Sequence, residues 1–120
     1  MIDKDEYSVK FFEDKKGKMP VREFLEGLSL KEHAKVVKYI EFLRVHQGVL
    51  DEPYARHIRG KIRELRIDFG RQRHRVLYFL LVGKKIVLLH AFTKRTAKTP
   101  ESEIKKAEER MQEIINNENI

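Results

Sequence analysis

At 120 residues and 14.4 kDa, the chain is sized for one domain spanning 1–120, and one core is the expectation. With no cysteine it can have no disulfide framework, thiolate zinc site or cysteine nucleophile, and no apolar run approaches the ~20 residues of a membrane helix. The formal net charge of +7 is unevenly spread: residues 56–98 hold thirteen Lys/Arg against two acids, whereas the other 77 residues net −4. A basic excess confined to one segment is the footprint of a site for a polyanion, the alternative being a solvated basic surface without a ligand. Lack of cysteine and of a secretory apolar stretch at the N-terminus leads us to expect a cytoplasmic protein with no membrane partner.

Residues 7–12, "YSVKFF", alternate and are rich in aromatic and β-branched side chains, which predicts a first strand; "EDKKGK" follows as a polar turn. "MPVREFLEGL" opens with Pro20 in a first helical turn and repeats Val21, Phe24, Leu25 and Leu28 at helical spacing, predicting a short helix that ends near Gly27. In "SLKEHAKVVKYIEFLRVHQG" Ser29 and Glu32 form a capping box and Gly48 offers a stop. Its apolar stripe is predicted from Leu30, Ala34, Val37 and Ile40 with Val36 and Leu43 on the adjoining row. The two helices are expected to form an antiparallel hairpin on a sheet, and "GVLDEPYARHIRG" to be a loop held by Pro53 and Gly60.

From Lys61 the period changes to two. "KIRELRIDF", "RHRVLYFLLV" and "KKIVLLHAF", divided by turns at Gly70 and Gly83, predict an antiparallel meander of three strands. "TPESEIKKAEERMQEII" predicts a last helix with Thr99 as N-cap, Pro100 at the first helical position and a face of Ile104, Ala107, Met111 and Ile114 or Ile115. The expected fold is α+β: a small, twisted, mainly antiparallel four-stranded sheet with an N-terminal helical hairpin and a C-terminal helix.

The five histidines, at 33, 46, 57, 74 and 90, show no metal-ligand spacing, and there is no Walker loop or GxGxxG. Paired carboxylates for glycoside chemistry are disfavoured, because the sheet segment holds only Glu64 and Asp68. What stands out is a cationic row. In "RQRHRVLYFLL" Arg71, Arg73 and Arg75 alternate, so an extended chain aims them off one face together with Leu77, Phe79 and Leu81. Arg75 lies nearest the apolar section that anchors the strand; Arg73 is a supporting contact, and Arg71 a solvated turn residue. On the preceding strand Glu64, Arg66 and Asp68 share one face, and Arg63, Leu65 and Ile67 the other. Arg66 and Arg75 on rigid strands, with Lys94 and Arg95 leading into a loop that holds Lys98, could clamp a phosphodiester, since a guanidinium matches two phosphate oxygens and stays charged.

These residues resemble the RelE/HigB-type toxins of bacterial type II toxin–antitoxin systems, especially their phage-derived HigB-like branch. The resemblance covers roughly residues 60 to 111: "GKIRELRID", "HRVLYF" and "IVLLHAFTKRTAKTPESEI" running into "KKAEER". Glu64, Leu65 and Arg66 keep the branch's E-L-R, Arg63 stands where an aromatic is usual, and Lys94-Arg95 replaces a Lys-Lys pair. The resemblance implies a RelE/ParE-like fold and an mRNA endonuclease that acts on the ribosome, inhibits translation and needs no cofactor or metal. Its expected partner is an antitoxin, typically a helix-turn-helix protein, through which the complex contacts operator DNA.

By position, Arg75 corresponds to the strand arginine at the scissile phosphate, Arg95 to a later arginine of similar role, and Arg66 to the basic residue ending its strand. Arg73, Lys94, Lys61, Arg63 and Lys98 are expected to contact RNA. Ile62 and Glu64 occupy the places of lysines implicated in proton transfer in the best-studied relatives, so the general base is unassigned: Glu64, His57, His74 or ribosomal groups are open. Glu64 is equally readable as an ion-pair partner that holds Arg66 or Arg75, and His90 as a packed residue. The same fold hosts ParE-type toxins that bind DNA gyrase without cutting RNA, and an inactive prophage remnant is a third reading.

Overall fold

Residues 6–117 are described by a computed structural model of the chain; of the expected domain 1–120, residues 1–5 and 118–120 lie outside the described residues. Five strands and three helices follow in order: β1 (Ser8–Phe11), α1 (Pro20–Glu26), α2 (Leu30–Val45), β2 (Ala55–Arg59), β3 (Ile62–Phe69), β4 (Gln72–Leu81), β5 (Lys85–Thr93) and α3 (Glu101–Asn117). The sheet order is β1-β5-β4-β3-β2, antiparallel throughout except that β1 runs parallel to β5.

The predicted meander is present, but the expected four strands are five. The extra one is "ARHIR", read from sequence as loop. Only Ala55 of its residues is buried, because an edge strand exposes most of its side chains and charges there deter unwanted pairing. Such a strand has no apolar alternation to betray it. Gly60 and Gly70 stand first in two-residue hairpin loops at φ +56° and +59°, a conformation that glycine adopts without steric cost.

Both faces of the sheet are covered, as the near-continuous apolar runs of β4 and β5 require. On one face Leu65, Ile67, Val76, Tyr78, Ile86 and Leu88 meet Val21 and Leu25 of α1 and Val36, Ile40 and Leu43 of α2. On the other, Ile62, Leu77, Phe79, Val87 and Leu89 meet Ala107, Met111 and Ile114 of α3. The Ser29 cap of α2 forms as expected, its hydroxyl accepting from Glu32 N–H at 3.2 Å. The predicted stripe of α2 is too wide: Leu30, Ala34 and Val37 are exposed, and the row that reaches the sheet is Val36, Ile40 and Leu43. The helical hairpin also needs correction. α1 and α2 cover the same face, but α1, only two turns long, packs chiefly on β5 and little on α2.

α3 is held at a polar point within its apolar seat. His90, 7 % exposed, stacks on Phe92, and Arg110 Nη1 donates to its Nδ1 at 3.1 Å and to Leu89 O at 2.9 Å. An arginine can only donate, so Nδ1 must carry the lone pair; the ring proton of the neutral imidazole then sits on Nε2, 3.2 Å from Glu103 Oε2. Burial, opposed by the Glu103 charge, holds the His90 pKa below the ordinary histidine value. A depressed folded-state pKa means that the unfolded chain takes up the proton first, so the stability contributed is present above pH ~6.5 and is lost as pH falls through that value. The urea midpoint is expected to fall between pH 7 and 5.5, and His90→Gln to flatten that fall; an unchanged pH dependence in the variant would count against this account.

Candidate anion-binding site

One end of the α3 face is built from three strands and the residue that follows β5. Arg56 on β2 pairs across from Glu64 on β3, Arg66 from Arg75 on β4, and Asp68 from Arg73, so all six side chains share one face. Lys94, just beyond β5, joins them through its backbone N–H, which donates to Arg73 O at 2.7 Å. The expected split of β3 holds: Leu65 and Ile67 lie in the opposite core while Glu64, Arg66 and Asp68 face this site.

Glu64 is the centre. It is fully buried, and its Oε1 lies 3.3 Å from Arg56 Nε, 3.8 Å from Arg75 Nε and 3.9 Å from Arg66 Nε. Thr99 hydroxyl donates to the other oxygen. Thr99 was expected as the N-cap of α3, but its hydroxyl is spent on Glu64 and the helix begins at Glu101. One carboxylate thus gathers three guanidinium groups by their inner edges. None of these contacts is a hydrogen bond, and all three Nε groups, with Glu64 Oε1, are buried without one. Groups so placed are held by charge and by the strands rather than by short contacts, and a further anion could draw on them.

Arg75 forms the floor. It is 1 % exposed, and its Nη1 donates to Asp68 Oδ1 at 2.8 Å and to His74 O at 2.9 Å. Asp68 itself is largely exposed. Burial raises its pKa, but the Arg75 hydrogen bond and charge outweigh this and keep the carboxyl below the usual carboxylate value. An anion arriving from solvent would compete with Asp68 for Arg75 and would meet Arg66, Arg56 and Arg73 at the rim. Arg66 Nη1 lies 3.7 Å from Glu52. Four guanidinium groups (Arg56, Arg66, Arg73, Arg75) face three acids (Glu52, Glu64, Asp68), so positive charge is in excess before Lys94 is counted.

The structure therefore brings together Glu64, Arg66, Arg73, Arg75 and Lys94 of the residues predicted. Arg63 is on the opposite face, across from Tyr78 and near Leu50 O, because its strand position is out of phase with Glu64. Lys61 lies in the β2–β3 turn at the other end of β3 from Asp68, and Arg95 and Lys98 are exposed in the loop before α3. His57 and His74 also face the wrong way: His57 pairs with Arg63, and His74 is tied to Glu32 at 2.6 Å and Thr93 Oγ1 at 3.0 Å. Arg56 is the residue that sequence reasoning missed, since only a strand at 55–59 brings it opposite Glu64.

Such a site defines a class: a small α+β domain whose open sheet end gathers a cluster of arginines around one buried carboxylate. Residues 23–112 match the family model described as Phage derived protein Gp49-like (DUF891). The chain belongs to this family, which is associated with RelE/HigB-type toxins and so implies an antitoxin partner. No curated protein matches the chain. None of the described helices is long and apolar enough to cross a membrane.

Proposed function

We propose that the protein is the toxin of a type II toxin–antitoxin system and cleaves mRNA on the ribosome. The reaction is attack of a ribose 2′-hydroxyl on the adjacent phosphate, leaving a cyclic phosphate and a free 5′-hydroxyl. The observation that carries this reading is the convergence of Arg56, Arg66 and Arg75 on the buried Glu64 with positive charge in excess. Guanidinium groups fixed before the substrate arrives stabilise the extra negative charge of a phosphorane at no reorganisation cost, the usual source of large electrostatic rate gains. Arg66 and Arg56 serve as the phosphate contacts and Arg75 as the buried charge beneath them, reached as the phosphate displaces Asp68. Arg73 extends the rim, while Arg95 and Lys98 carry the RNA strand onward. A helix-turn-helix antitoxin seated over the same basic face would block RNA by exclusion and complement its charge.

Induction of the gene in growing cells tests the reading. Translation should stop, with messages cut inside translated codons. Intact messages accompanied by DNA breaks and SOS induction would instead indicate a gyrase-directed toxin.

A further inference from the structure

The arginine cluster can neutralise a phosphorane, but it cannot accept a proton, because a guanidinium stays charged at every working pH. A 2′-hydroxyl must lose its proton as it attacks. The described residues near the cluster narrow the choice of acceptor sharply. Glu64 is fully buried, with one oxygen surrounded by three Nε atoms and the other taken by Thr99. Asp68 is held ionised by Arg75, which makes it a weak base, and Glu52 is an exposed residue of the segment before β2 that lies 3.7 Å from Arg66 Nη1 at the rim. His57 and His74 face the other side of the sheet, and His90 lies under α3 between Arg110 and Glu103.

Lys94 is different from all of these. Its residue is only 6 % exposed, although a lysine is almost never buried without an acidic partner. The Nζ donates to Ala97 O at 3.2 Å. The charged groups facing it are Arg75 from β4, Glu64 and Arg66 from β3 and Arg56 from β2, so three guanidinium groups bear on it against one carboxylate that they already share. We propose that Lys94 is the general base of this site, its neutral amine taking the proton of the attacking 2′-hydroxyl. The proposal rests on the endonuclease reading above.

Two features suit the amine to that work. A carbonyl can only accept, so the neutral amine can keep one N–H on Ala97 O and still offer its lone pair elsewhere. Burial, then the Arg75 charge, pull its pKa below the ordinary lysine value, and the Glu64 carboxylate offsets this only in part. In the reaction the 2′-oxygen forms its bond to phosphorus as its proton passes to Nζ. The phosphorus–5′-oxygen bond breaks, and the leaving oxygen takes a proton from water. Lys94 then returns its proton to solvent, so protons and charge balance over the cycle. Lys94 is the last residue held by the sheet before the loop, its backbone N–H bonded to Arg73 O beside the arginine cluster.

The test compares wild type, Lys94→Arg, Lys94→Ala and Arg66→Ala on ribosomes programmed with mRNA, from pH 6 to 10, with circular dichroism to verify folding. Wild-type cleavage should rise with pH to a plateau. Lys94→Arg, a cation at every working pH with no lone pair to offer, should cleave about 10² to 10⁴ times more slowly and lose the inflection. Lys94→Ala should be restored in part by added ethylamine, a rescue that a merely structural lysine would not show. If Arg66→Ala is inactive while Lys94→Arg keeps wild-type rate and pH profile, Lys94 is not the base and the endonuclease reading survives. If wild type leaves the message intact, both fall together.

Discussion

Arg75→Ala is expected to lose on two counts: RNA cleavage falls by at least about 10² to 10³, and the protein loses about 3 to 5 kcal/mol of stability. Both follow from its position as the floor of the cluster, 1 % exposed and bonded to Asp68 and to the His74 carbonyl. Truncation opens a cavity under the sheet end and removes one of the cations that compensate the buried Glu64 charge. Breaking a buried ion pair by deleting one partner is costly because the other charge stays behind. Urea denaturation measures the stability loss, and cleavage should be compared at a temperature where the variant is still folded. A variant with wild-type stability would contradict the burial of this arginine.

Arg66→Ala should separate function from stability. Its side chain is a quarter exposed, and its contacts with Glu52 at 3.7 Å and Glu64 at 3.9 Å are long. Its charge is partly solvated, and Arg56 and Arg75 still face Glu64 once it is removed, so the urea midpoint should move by only about 1 kcal/mol equivalent, well short of the Arg75→Ala loss. Cleavage should nevertheless drop by about 10² to 10³, because a charge fixed at the site of the phosphorane is lost. Set beside Arg75→Ala, it distinguishes the group that meets substrate from the group that supports the site. An Arg66→Ala variant that cuts at the wild-type rate would remove Arg66 from the reaction.

The contrast between these two arginines also marks where sequence reading succeeded and where it ran short. Period-two spacing showed that Arg66 and Arg75 lie in strands, and register confirms that they face each other on one side. It could not rank their exposure. Arg75 reads from sequence as the phosphate clamp, yet the apolar strand that fixes it also buries it, so the rim passes to Arg66 and Arg56. Glu64 was open between proton transfer and holding arginines; three Nε atoms around one of its oxygens support the second role.

Arg56 was illegible for a different reason. Its strand is an exposed edge whose residues are mostly polar, and only the partner strand, not any local pattern, makes it extended. Thr99 was misjudged because a threonine before a proline-started helix satisfies a local rule, while the acceptor it actually uses lies 35 positions away in sequence. The histidines show the same limit from the other direction. Composition offers His57 and His74 as proton carriers, and the phase of β2 and β4 turns both away from the cluster. By contrast the α3 face was legible in Ile104, Ala107 and Met111, because helical spacing sets which residues meet the sheet; between Ile114 and Ile115, left open by the spacing, Ile114 is the buried one and Ile115 packs half-buried beside it.

The central claim, that the arginine cluster stabilises the transfer of a phosphoryl group within RNA, is tested most directly by the chemistry of the products. Purified protein is incubated with ribosomes programmed with an end-labelled mRNA, and the new termini are identified enzymatically. The account predicts an upstream fragment ending in a 2′,3′-cyclic phosphate and a downstream fragment beginning with a 5′-hydroxyl, both absent with Arg66→Ala. An intact message, or fragments carrying 5′-phosphates, would contradict it.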